Sequence, residues 1–215
     1  MSTMASTKLI DISPMLTEAL PVWPGDTPLS REVLCRIEEG ASVTLSTLLC
    51  TVHLGSHADG ANHYAPHAPG IEGRPLEHFI GHAQVIEARV AQGARVAVED
   101  LVGEVRAKRV LLKTGTFADP NSWREDFAGL SVELVDFLGS KGVHTIGVDT
   151  PSVDVYSSKD LPAHKAIFRH DISILEGLVL RDVPVGEYEL IALPLKLRGF
   201  DASPVRAVLR EWPAR

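Results

Sequence analysis

The run Thr51-Val52-His53-Leu54-Gly55-Ser56-His57-Ala58-Asp59-Gly60-Ala61-Asn62-His63 limits what this chain can fold into more than any other stretch. It places three imidazoles and a carboxylate within eleven residues, in a protein with 9 histidines among 215 residues. Imidazole nitrogen and carboxylate oxygen are the donors a borderline divalent ion such as zinc prefers. Gathered without an ion, these groups would be left poorly satisfied. The fold must therefore turn His53, His57 and Asp59 toward one point. In an extended strand the three share a face, but four residues of strand span about 13 Å, too far for one ion unless the backbone bends. Gly55-Ser56 lies where that bend is needed, because glycine accepts backbone angles closed to other residues. A helix would also join the two histidines, yet Gly55, Gly60 and the strand-like lead-in Val43 to Val52 oppose one. The pattern predicts a strand end followed by a ligand-bearing loop, with at least one more ligand from far along the chain.

Composition narrows the setting. With 45% hydrophobic and 23% charged residues, the chain suits one globular domain over residues 1–215. A net charge of −7 without a Lys/Arg block argues against nucleic acid as a partner. The Ser/Thr-rich start, Met1 to Lys8, lacks the apolar stretch of a signal peptide, and no run has the length to span a bilayer. Cys35 and Cys50 suggest neither a metal-binding pair nor a disulfide scaffold. The expectation is a cytoplasmic protein with no membrane partner.

Along the chain, Lys8 to Ile12 reads as a first strand and Leu20 to Pro28 as a stiff, proline-framed loop. Trp23 on that loop can plug the core edge or stack on a ligand; its position in the fold decides. Arg31 to Ile37 and Val43 to Val52 resemble an antiparallel hairpin leading into the histidine run. Tyr64 to Arg74 is a long loop that could lie over the site; its His67 is set aside as solvated. Then the pattern turns to α/β. Ala83 to Ala88 reads as a strand, Val98 to Val105 as a short helix, and Val110 to Leu112 as a buried strand. Val132 to Leu138 reads as a helix capped by Ser131, with Gly142 at its far end. Thr145 to Val148 is a strand ending in the polar turn Asp149 to Ser152, where α/β proteins tend to hold their sites. Glu176 interrupts the apolar strand-like run Ile174 to Leu180, so it is either the missing ligand or a carboxylate on the solvent face of an edge strand. Tyr188 to Leu195 adds a strand, and Asp201 to Leu209 the last one.

The run from His53 to His63 resembles the H-x-G-T-H-x-D-x-P-x-H signature of the metal-dependent cyclase-like hydrolases. The likeness extends through Val22 to Pro28, Gly147 to Ser152, His164, Ile174 to Gly177, Tyr188 to Lys196 and Asp201 to Leu209, blocks similar to those of bacterial kynurenine formamidases. That resemblance implies a single α/β domain with a mixed, barrel-like sheet and flanking helices, of the swivelling β/β/α type, assembled as a homodimer. It implies two divalent ions, zinc or else manganese. His53, His57 and Asp59 would hold one ion and His164 the second, with Asp59 and Glu176 contacting both. His63 would donate and accept the proton, and Trp23 would contact an aryl formamide substrate. The implied reaction is hydrolysis of N-formyl-L-kynurenine to L-kynurenine and formate, in tryptophan degradation. The alternatives are an isatin-hydrolase-like or other aryl amide or lactam hydrolase, and a non-catalytic metal-binding or ligand-sensing domain on the same scaffold. Two positions depart from the signature: Ser56 stands for threonine, and Ala61 for proline. With Gly60 before it, Ala61 is expected to leave the loop from Asp59 to His63 freer than proline would.

Overall fold

Near-continuous apolar runs such as Val110-Leu111-Leu112 must be covered on both faces, and the architecture does so with helices on one side and curled antiparallel strands on the other. The computed structural model describes residues 8–212; the Ser/Thr-rich start read as a polar end lies, apart from Lys8, outside them. The strands are β1 (Leu9–Asp11), β2 (Ser30–Cys35), β3 (Leu45–Leu49), β4 (His57–Asp59), β5 (Ile80–Glu87), β6 (Arg95–Val96), β7 (Arg109–Lys113), β8 (Gly129–Leu130), β9 (Thr145–Val148), β10 (Ser173–Glu176), β11 (Gly186–Ile191), β12 (Ala202–Pro204) and β13 (Val208–Glu211). The helices are α1 (Val132–Ser140) and α2 (Pro162–Arg169). Nine strands form one mixed sheet in the order β1-β13-β11-β5-β7-β9-β10-β4-β12, curled into a half barrel. β5, β7, β9 and β10 are mutually parallel at its centre, and the flanking pairs are antiparallel. This is the α/β, single-domain, barrel-like class expected from the resemblance.

Alternation sorts the central side chains into two cores. Val110, Leu112, Ile146, Val148 and Ile174 enter the one closed by Leu134, Val135 and Leu138 of α1. Leu111 and Leu175 enter the other, with Ile12, Leu190 and Leu209. Truncating a fully buried side chain such as Leu111 to alanine costs about 2–5 kcal/mol. α1 starts as its sequence predicts, with the Leu134 N–H donating to Ser131 Oγ at 3.0 Å. Among the described residues no helix is long and apolar enough to cross a membrane.

Several expectations are corrected. Val98 to Val105 is not a helix: one 3-10 turn covers Val98–Asp100, and the chain then runs beside the end of β5. Val102 N–H donates to Glu87 O and Arg89 N–H to Asp100 O, so the sheet captures the groups a helix would use. The run from Ile174 stops at Glu176, because Gly177 turns the backbone to φ +66°. Asp201 to Leu209 is two strands at opposite regions of the sheet: β12 on β4, and β13 between β1 and β11. The hairpin exists but is shorter than read, Ser30–Cys35 against Leu45–Leu49, and stands apart from the nine-stranded sheet. Helix α2 has no counterpart in the sequence reading.

Candidate metal centre

β4 is a three-residue strand, yet all three residues are buried. It is held because β10 pairs it on one side and β12 on the other. His57 and Asp59 share a face and Ala58 points into a core, as strand parity requires. The site-bearing segment is thus a strand, not the loop expected after a longer strand; the loop comes before it. His53 sits in that preceding turn, and Gly55 makes the predicted bend at φ +58°. Ser56 keeps the bend closed, its hydroxyl donating to Gly177 O at 2.8 Å, which accounts for a hydroxyl-bearing residue there.

Register supplies the distant carboxylate. Glu176 is the cross-strand partner of His57, and its Oε2 lies 3.2 Å from His57 Nε2. Glu176 is 4% exposed, which rules out the solvent-facing alternative. Its Oε1 accepts the Val153 N–H at 2.8 Å and lies 3.7 Å from His164 Nε2. Asp59 divides its oxygens in the same way. Oδ1 lies 3.4 Å from His53 Nδ1 and 3.6 Å from His57 Nε2, whereas Oδ2 lies 3.7 Å from His164 Nε2. Two carboxylates thus each face two sets of imidazoles.

Each of these imidazoles has its outer nitrogen tied down. His57 Nδ1 donates to Gly55 O at 2.9 Å, His164 Nδ1 to Asp154 Oδ2 at 2.9 Å, and His53 Nε2 to Asp201 Oδ2 at 3.0 Å. A donating outer nitrogen leaves the inner one free to bind a cation. His164 is carried by α2, whose N-terminus Asp154 also caps by accepting the Ala163 and His164 N–H groups. Arg95 donates to the same carboxylate at 2.7 Å. The inner atoms are unsatisfied within the protein: His57 Nε2 and both Asp59 oxygens are buried without a hydrogen-bond partner. A buried carboxylate left this way costs several kcal/mol, so the donor set fits a divalent cation. Three overlapping groups of donor atoms lie mutually within 4.8 Å: His53, His57 and Asp59; Asp59, His63 and His164; and His53, His63 and Asp201. His63 is therefore within reach of the cluster as well as exposed to the cavity.

Electrostatics follow from the two buried carboxylates. Burial opposes charge on His53, but Asp59 and Asp201 outweigh it and raise the imidazole to about 9. Burial likewise opposes charge on His164, and Asp154 with Asp59 raises it to about 10. Burial would lift the Asp59 carboxyl, yet His164 and His53 hold it well below the usual range. The two carboxylates therefore favour positive charge at this point.

A cavity of about 610 Å³ opens beside these donors, lined by His53, His63, His164 and Glu176 together with Trp23, Phe117 and Trp123. Trp23 lines the cavity and packs on Tyr156 at 5.1 Å, Trp123 at 5.6 Å and Phe127 at 6.2 Å between ring centroids. The sequence reading missed Asp154, Asp201 and Trp123. Trp123 carried a usable signal, an aromatic after the Asp119-Pro120-Asn121-Ser122 turn, which repeats the logic of the Trp23 loop. The loop after Asp59 is also firmer than expected. Gly60 N–H donates to Asp201 O and Asn62 N–H to Pro69 O, and a Cβ on Gly60 would lie 2.7 Å from Ile71 N.

A buried donor set that fits a divalent cation, beside an aromatic cavity on a curled mixed sheet, is the arrangement this structure defines. Two solved structures, each 25% identical, share the fold over 97% of this chain. One is a potential metal-dependent hydrolase with cyclase activity (TM-score 0.82; 97% of this chain, 100% of that one). The other is a predicted metal-dependent hydrolase from Bacillus stearothermophilus (TM-score 0.80; the same coverage). Isatin hydrolase A from Ralstonia solanacearum, 22% identical over 95% of this chain and 92% of its own, has the same fold at a TM-score of 0.77. The chain belongs to the Cyclase family, whose model matches residues 10–155, the span that contains the whole His53 to His63 run.

Proposed function

We propose that this protein is a metal-dependent amidohydrolase that converts N-formyl-L-kynurenine to L-kynurenine and formate. The observation that carries the reading is the juxtaposition of unsatisfied buried donors with an aromatic-walled cavity. His53, His57 and Asp59 would hold one divalent ion and His164 the other, with Asp59 and Glu176 shared; zinc suits these donors, and manganese is the second candidate. When bound, such ions supply Lewis-acid polarisation of a carbonyl and acidify water. Asp59 and Glu176 would offset part of the cationic charge. Trp23 and Trp123 offer flat faces to an aryl ring, which orients the scissile bond toward the donors. His63, on the exposed rim, accepts the proton of the attacking water and returns it to the aniline nitrogen as the C–N bond breaks. A cyclic aryl amide of the isatin type is the second reading, favoured by the fold shared with isatin hydrolase A.

The test is hydrolysis of N-formyl-L-kynurenine, followed by absorbance, with chelated and metal-restored protein side by side. Turnover should vanish on chelation and return with zinc or manganese. Turnover of isatin alone would move the assignment to the lactam, and metal binding without turnover of any aryl amide would overturn the enzymatic reading.

A further inference from the structure

Asp201 differs from the other outer partners of the imidazole cluster. Gly55 O and Asp154 each serve one imidazole, and the Asp154 side chain is buried. Asp201 serves two: its Oδ2 accepts from His53 Nε2 at 3.0 Å and lies 3.6 Å from His63 Nδ1. The two rings lie side by side, 4.3 Å between centroids. The second distance is within ion-pair range and longer than a hydrogen bond, as catalytic contacts often are before substrate binds.

The backbone places Asp201 there. β12 pairs with β4 with Ala202 opposite Asp59, so Asp201 falls beside Gly60, three residues before His63. Gly60 N–H donates to Asp201 O at 2.8 Å. On the other side of the loop, Ile71 N–H donates to Phe200 O, Asn62 Nδ2 to Gly199 O, and Gly199 N–H to Glu72 Oε1. The segment from Gly199 to Asp201 is therefore fastened to the chain on both sides of His63, which fixes the Asp201 backbone relative to that loop.

We infer that Asp201 is a positioning residue that holds His63 with Nδ1 outward and Nε2 toward the cavity, and that the same oxygen holds His53 toward the metal. The inference rests on the hydrolase reading for its kinetic consequence but not for its geometry. A carboxylate on the outer nitrogen fixes which ring nitrogen carries the hydrogen, so the other presents its lone pair to the reacting water.

Asp201→Asn tests this in the zinc-loaded protein. Metal affinity should fall about tenfold to a hundredfold through His53, as for other outer partners of metal-bound histidine. At saturating zinc kcat should still fall by about tenfold to a hundredfold, with KM changed by less than about twofold. In a His63→Ala background the kcat effect of Asp201→Asn should disappear, because it acts through that ring. Asp201→Glu, which restores the carboxylate, should recover part of kcat. Independently of any substrate, long-range ¹⁵N–¹H spectra should show His63 as the Nδ1–H tautomer in the parent protein and as a mixture in Asp201→Asn. Full kcat at saturating zinc would overturn the inference. If the parent protein hydrolyses nothing, the hydrolase reading fails by itself, and an unchanged His63 tautomer in the variant would then overturn the positioning role.

Discussion

β4 and the β2–β3 hairpin are adjacent in sequence and opposite in character. β4 has three residues, all buried, and gains its hydrogen bonds from strands that come more than a hundred residues later. The hairpin forms from neighbouring residues, yet every residue of β3 is exposed, with Leu48 at 64% and Leu49 at 60%. Local pairing made the hairpin and long-range pairing made β4. Strength of local secondary structure therefore says little about where the chemistry is; the functional strand is the one its neighbours over-determine. Perturbing the two regions should have unequal consequences.

The largest effects belong to β4 and its partners. His63→Ala is expected to keep its zinc while kcat falls about 10²- to 10⁴-fold, the range for losing a general acid–base. Glu176→Ala is expected to lose bound metal and activity together, since it removes the carboxylate facing both His57 and His164. Metal analysis beside kinetics separates the two roles. Full metal occupancy in Glu176→Ala would sink its place in the centre, and metal loss in His63→Ala would make that residue a ligand instead of a base.

Next comes the junction that holds β4 against β10. Gly177 has φ +66°, and a Cβ there would lie 2.3 Å from Gly55 O. Both the left-handed backbone and the close approach exclude a side chain, so Gly177→Ala should destabilise the fold by about 3 kcal/mol, strain and overpacking each contributing about 1–3 kcal/mol. Urea titration of the metal-free variant reads this directly. A midpoint equal to the parent's would show that the bend relaxes at no cost.

These consequences mark how far the sequence could be read. The histidine run, the bend at Gly55 and the capped helix after Ser131 were legible because each is a local property of a few residues. Helix α2 was not. It follows a left-handed Leu161, lacks a side-chain cap from that residue, and takes its cap from Asp154, nine residues before the Ala163 N–H it accepts. Asp201 was invisible as a site residue because only the β12–β4 register brings it to His63. Glu176 was the intermediate case: its residue type in an apolar run raised the question, and the register with His57 answered it.

The two ends of the central strands should also respond to pH with opposite sign. In metal-free protein His53 and His164 are raised to about 9 and about 10, carboxylate contacts outweighing burial. Their contribution to stability is complete below about 6.5 and is lost as pH rises through 9 and 10. At the far end His144, stacked on His78 at 4.5 Å, is lowered to about 4 by burial and then by Arg109. Its contribution is present above about 6.5 and is lost as pH falls through 4. Urea midpoints of chelated protein between pH 4 and 10 should decline at both limits. His144→Asn should flatten the acid limb and leave the alkaline limb unchanged, whereas His164→Asn should flatten the alkaline limb and also alter the acid limb, because His164 holds Asp59 and Asp154 low; an acid limb unchanged in His144→Asn would assign it to other groups.

The smallest effect on folding is expected at the hairpin, and there the comparison becomes most informative. An isolated two-stranded hairpin is marginal in water, and Leu34, Leu45, Leu48 and Leu49 are each more than half exposed on this one. We propose that a homodimer, if the chain forms one, pairs through this surface: Leu45→Glu with Leu48→Glu should then yield a monomer by sedimentation while changing monomer stability by no more than about 0.5 kcal/mol per site. After β3 the chain continues through Cys50, Thr51 and Val52, which line the cavity, and Thr51 N–H is fastened to Thr27 O. Loss of the partner should therefore raise KM for the aryl substrate, because the hairpin anchors that wall, while leaving metal content unchanged. A parent protein that already sediments as a monomer would remove the hairpin's role in assembly, and a monomeric variant with unaltered KM would confine that role to assembly alone.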